Sequence, residues 1–150
     1  MGLGQHLARQ HDRLVTLAGL LEEERQALCE GQIDGEHLNN LAAHKRALLD
    51  ELERLESQRR TAQQKLGYES GRVGAERAAL DAGCLESWHV MRTQAEQVRH
   101  QNELNGSLLQ VRMSHNQRTL DFLHESAGNS FYGPNGQSHR RGFAGINSRA

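Results

Sequence analysis

The chain has 150 residues, of which 36% are hydrophobic and only 4% aromatic, with a formal net charge of -1 at pH 7 and a mean hydropathy of -0.76. That balance excludes a deep globular interior, and it excludes a global field able to draw in nucleic acid or an acidic membrane. It fits long amphipathic helices that each bury one stripe.

The first expected element runs from about residue 3 to 30, where Leu3, Leu7, Leu14, Leu17, Leu21 and Leu28 recur in alternating steps of three and four. Gln10 and Glu24 occupy the remaining slots of that stripe, and Gly31 supplies a stop. Asp34 is a good N-cap for a second helix over about 35–66, whose stripe is Leu38, Leu41, Leu48, Leu52, Leu55, Ala62 and Leu66. Lys45 and Arg59 fill its two gaps, and Gly67 is its natural end. Asp50 with Arg54 and Glu56 with Arg60 are acid-before-base pairs four apart that support an exposed face.

Tyr68 to Gly74, with Gly71 between, reads as a loop. A third helix over about 75–127 follows. Its first turns are blurred by Gly83, and from Cys84 onward Trp88, Met91, Ala95, Val98, Asn102, Asn105 and Leu109 keep coiled-coil spacing. The single proline, Pro134, lies beyond it. The fold class expected is therefore all-α: an antiparallel bundle of three long coiled-coil-like helices in residues 1–128, with a flexible docking tail in 129–150. Trp88 is read as an anchor of the bundle through its buried area, with ligand binding as the second reading.

Length carries the functional clue. At 1.5 Å per residue the first two helices span roughly 40 to 50 Å and the third close to 80 Å, so part of the third overhangs, from near Gln110 on. Leu104, Leu108, Val111 and Phe122 share one side of that helix, while Leu109, Met113, Leu120 and Leu123 share another. One face can join the bundle and leave the other for a partner. A bend at Asn105-Gly106 that buries both faces internally is the competing reading, and self-association through the same residues is a third.

Beyond Gly128 the chain reads as tail: Phe131-Tyr132, then Gly133-Pro134-Asn135-Gly136, then His139-Arg140-Arg141 and Arg149. Two adjacent aromatics on a flexible tail read as a docking peptide, and the basic cluster is too short and sparse to argue for nucleic acid. The nine histidines include no pair three or four apart, His37 and His44 being seven apart, and Cys29 and Cys84 form no CxxC. No metal site, cofactor or catalytic apparatus is expected. The start, Met1 to His6, has no basic region before an apolar core, and no run of about eighteen apolar residues occurs, so a soluble cytoplasmic protein without membrane insertion is expected.

An ordered set of segments then points to a family. It begins with Gly31-Gln32-Ile33-Asp34-Gly35, the Lys45 to Leu48-Leu49 step and Leu55-Glu56-Ser57-Gln58-Arg59-Arg60. It continues through Trp88, the run from Val98 to Leu109 with Asn102-Glu103-Leu104-Asn105-Gly106 inside it, Asn116-Gln117 and Leu120, and closes on Tyr132-Gly133-Pro134-Asn135-Gly136-Gln137. In these the chain resembles the FlgN family of flagellar export chaperones for the hook-filament junction proteins. The resemblance implies a non-catalytic cytoplasmic chaperone that binds the C-terminal helical regions of the first and third hook-associated proteins and delivers them to the flagellar type III export gate. It further implies client binding by Leu104, Leu108, Val111, Leu120, Phe122 and Leu123, and gate docking by Tyr132 with Phe131 in support. Trp88, Asn102 and Asn105 are assigned to the structural seam, where a buried amide can fix register as well as touch a client. The alternative left open is a self-associating coiled-coil adaptor.

Overall fold

A computed structural model describes residues 2–131, the side chains of residues 119–120 and 123–131 excepted. The described chain is helical with no strand: α1 (Leu3–Cys29), α2 (Gly35–Lys65), α3 (Arg72–Asp81) and α4 (Leu85–Phe131). It divides into two compact units, one ending at Glu103 and one beginning at Leu104.

The ends of α2 and α3 follow from local chemistry. Asp34 caps α2, its carboxylate accepting the His37 backbone N–H at 3.1 Å. At the other end Gly67 takes φ +86°, so that Tyr68 N donates to Gln63 O and Gly67 N to Gln64 O, the paired bonds of a Schellman stop. Gly83 at φ +72° repeats the device for α3, with Cys84 N bonded to Ala79 O at 2.8 Å and Gly83 N to Leu80 O at 3.0 Å. The expected third helix over 75–127 is therefore two helices. Helix α3 starts at Arg72, inside the expected loop, and the break falls at Gly83, where a left-handed residue cannot continue the spiral. By contrast α4 is helical through Gly106, and it passes Gly128 to reach Phe131.

In the first unit, α1, α3 and α4 meet over Leu7, Leu14, Leu17, Leu21, Ala75, Ala79, Trp88, Met91 and Val98, with Leu48 and Leu52 of α2 packed against them. The small side chains of α3 allow close approach. Gly74 is the extreme case: a Cβ there would overlap the Glu69 carbonyl oxygen and lie 2.7 Å from Gln63 Nε2.

The non-leucine slots of the stripes find one another. Glu24 of α1, Lys45 of α2 and Asn102 of α4 form one polar layer: Lys45 Nζ donates to both Glu24 oxygens at 3.0 and 3.2 Å and to Asn102 Oδ1 at 3.2 Å. Gln10, Arg59 and Trp88 stand two heptads away on the same three helices and form a second. Gln10 Nε2 donates to Glu56 Oε2 at 3.0 Å, Arg59 ion-pairs with Glu56, and the Arg59 guanidinium lies 4.8 Å from the indole centroid. Both layers pair residues of α1 and α2 whose numbers run in opposite directions, as antiparallel neighbours require, and α4 runs parallel to α1. A one-heptad slip would place charge against leucine, so the layers specify register. The partner of Glu56 is Arg59, three residues on, and not the expected Arg60.

Candidate partner-binding face

From Leu104 onward the described side chains belong to α4 alone and form the second unit. On a helix turning 100° per residue, positions 104, 108, 111 and 122 fall within about 60° of one another. Leu104 is 50% exposed, Val111 64% and Phe122 66%, with Leu108 half-buried between them. These four expected client-binding residues thus share one side of a helix, three of them with half or more of their surface in solvent. The side chains of Leu120 and Leu123 lie outside the described residues, as do that of Phe131 and the whole of Tyr132.

The second side of the same stretch carries Leu109, also exposed, and Met113, half-buried. The polar residues between leave the helix itself well supported: Gln117 Nε2 donates to Asp121 Oδ1 at 3.1 Å, four residues on. Asn105 is buried. Asn102, in the first unit, accepts from Lys45 as described, and Trp88 is 4% exposed.

The Leu104–Phe122 side of the helix also carries the exposed His115 between Val111 and Phe122, with Arg118 at its edge, and the Leu, Val and Phe side chains there gain free energy when covered. The FlgN protein family matches residues 1–140. The chain belongs to the FlgN family. It is 31% identical to a flagella synthesis protein FlgN of Proteus mirabilis over 143 residues, covering 95% of this chain and 94% of the relative. A flagella synthesis protein FlgN of Salmonella typhimurium is 33% identical over 132 residues, 86% of each chain, and one of Yersinia enterocolitica is 31% identical over 136 residues, covering 91% of this chain and 88% of that one. No solved structure matches.

Membership of this family makes the chain a flagellar synthesis protein. No helix among the described residues is long and apolar enough to cross a membrane, and no group of three His, Cys, Asp or Glu among them is placed to hold a metal ion.

One grouping escaped the reading of the sequence. Arg59, Arg60, Arg72 and Arg92 converge from α2, α3 and α4 on the cavity beside Trp88. The signal was present in the Arg59 gap of the α2 stripe, which stands in the same layer as Trp88. It was hidden because the partners come from elements far apart in sequence.

Proposed function

We propose that this FlgN-family chain is a non-catalytic, cytoplasmic export chaperone that holds the C-terminal helical regions of the first and third hook-associated proteins on the Leu104–Leu108–Val111–Phe122 face of α4 and delivers them to the flagellar type III export gate. The observation that carries the reading is the sharing of one helix side by Leu104, Val111 and Phe122, all with half or more of their surface in water. An amphipathic helical client covers such a face through anchors at helical spacing. Ordering of the client offsets part of the binding energy, so the complex stays releasable. Leu120 and Leu123 complete the proposed client-binding set, and Tyr132, with Phe131 beside it, is proposed as the gate-docking element.

The test is calorimetric titration of the full chain with a peptide from the C-terminus of a hook-filament junction protein. One-to-one binding with a negative heat-capacity change is expected. Absence of heat at high micromolar concentration, together with a tight homo-oligomer in light scattering, would replace the chaperone with a self-associating coiled-coil adaptor that uses the same face. For the tail, Tyr132→Ala is expected to spare client binding and impair delivery; equal loss of both would merge tail and helix into one site.

A further inference from the structure

Within the first unit a cavity of about 440 Å³ opens between α1, α2, α3 and α4, floored by apolar side chains such as Leu14, Leu52 and Met91 and walled by Trp88. Four arginines, Arg59, Arg60, Arg72 and Arg92, line it against the single acid Glu56. Glu56 is taken up by Arg59 and Gln10. Arg72 and Arg92 make only exposed pairs with Glu76 and Glu96 on their own helices, at 3.0 and 3.2 Å, and exposed pairs of this kind contribute little and exchange readily. Arg60 forms no hydrogen bond or salt bridge of its own among the described residues and acts on Glu56 only at a distance. In a chain of net charge -1 this is a local concentration of positive charge with an aromatic wall.

A second, independent observation marks the same place. Among the described residues, Gln10, 3% exposed, has an Oε1 that accepts no hydrogen bond, and the Trp88 Nε1–H, equally buried, finds no acceptor. Leaving a buried polar atom unmet costs about 1 to 3 kcal/mol, so two in one wall need explaining. Together they are short of one donor and one acceptor. An inorganic anion supplies acceptors only, whereas a peptide unit supplies an N–H and a C=O side by side. Gln10 and Trp88 both line the cavity, and over the indole stand the Arg59 and Arg92 guanidiniums, 4.8 and 5.7 Å from its centroid.

From this geometry we infer that the cavity is a second docking site, separate from the α4 face, for an acidic peptide segment of a partner protein that inserts an apolar side chain onto the Leu14–Leu52–Met91 floor and places carboxylates among Arg60, Arg72 and Arg92. The carboxylates make charge-assisted bonds to guanidiniums whose present partners are weak. The inserted backbone amide meets the Gln10 and Trp88 needs once the arginine stems shift.

Trp88 is the sole tryptophan, so its indole N–H gives one isolated resonance in a nitrogen-15 spectrum of the full chain. The probes are a synthetic twelve-residue peptide of alternating Glu and Leu, the same peptide with Gln for Glu, and sodium phosphate. Saturable movement of the indole resonance by the acidic peptide is expected, with the Gln peptide binding about tenfold more weakly, since carboxylates are what the arginines select. Arg60→Gln with Arg72→Gln, both exposed positions, is expected to weaken the acidic peptide by about fivefold or more while helicity by circular dichroism stays unchanged. The Val111→Gln, Phe122→Gln variant is expected to retain the response, which separates this site from client binding. No movement at millimolar peptide, equal binding by the Gln peptide, or the same saturable shift with phosphate alone would overturn the inference.

Discussion

Replacing Val111 and Phe122 together by glutamine tests the α4 face most directly. Both side chains keep about two-thirds of their surface in solvent, 64% and 66%. Complete burial of a valine or phenylalanine side chain contributes about 1.5 to 3 kcal/mol, so a client that covers the remaining two-thirds gains roughly 1 to 2 kcal/mol from each. The pair is then worth about 2 to 4 kcal/mol, between roughly thirtyfold and several hundredfold in Kd. Stability should respond in the opposite sense or not at all. Glutamine is a better helix former than valine or phenylalanine, and exposed substitutions away from packed features fall within about 0.5 kcal/mol. The assay is calorimetry with the junction-protein peptide, beside a urea melt followed by circular dichroism. Unchanged peptide affinity would refute the assignment of this face to the client. A drop in urea midpoint would refute the premise, because it would mean that the two side chains are buried by the protein itself.

Three further perturbations address the scaffold. Gly74→Ala should destabilise by about 3 kcal/mol, since the Glu69 carbonyl lies where the new methyl must go and overpacking outweighs the gain in helix propensity; Gly106→Ala, where nothing lies within 4 Å, should instead stabilise by about 0.5 to 1 kcal/mol, and urea titration of both variants checks the opposite signs. Lys45→Met should cost about 2 kcal/mol by removing the ammonium that bonds the largely buried Glu24 carboxylate and the Asn102 amide, and the combined Glu24→Leu, Lys45→Met, Asn102→Leu chain should recover that stability while forming mixed oligomers in light scattering. Burial pushes Glu56 up, but its bonds to Arg59 and Gln10 outweigh that and hold the carboxyl below the usual glutamate range. A folded pKa below the unfolded value contributes stability that is complete above the unfolded pKa and is lost as pH falls through the folded one. Glu56→Gln should therefore flatten the acid side of the stability–pH curve below about pH 4.5, and an unchanged curve would assign the acid transition to other carboxylates.

The helices were legible because their signal is periodic and local. Leucines of α1 mark its core face, and Leu7, Leu14, Leu17, Leu21 and Leu28 are all buried. Asp34 and Gly67 act as cap and stop as their chemistry predicts. The α3–α4 break was less legible. Gly83 inside an apolar pattern is compatible both with a tolerated helical glycine and with a left-handed stop, and the choice is made by the Cys84 and Gly83 N–H bonds back to α3, which no spacing rule announces. Gly31 ends α1 without a positive φ, so the same residue type stops a helix by different means in one chain. The arginine-lined cavity was illegible for a third reason. Its residues satisfy no motif and come together only once four helices have packed.

That register also bears on why α4 carries two apolar sides. Trp88, Met91, Ala95, Val98 and Asn102 follow one seam, and the same phase carried forward predicts Asn105, Leu109 and Met113. Leu104, Leu108, Val111 and Phe122 lie on the opposite side of the helix from that phase, so continuation of the seam does not account for them. If α4 served the bundle alone, these positions would gain more from Glu, Lys or Gln, which favour the helix and keep it soluble. Two polar layers already fix how α1, α2 and α4 align, so the bundle does not need this side for specificity either. We propose that the remaining cost in solubility is offset when an apolar partner covers the face. On that proposal the covering partner presents apolar groups at helical spacing, as an amphipathic helical client does.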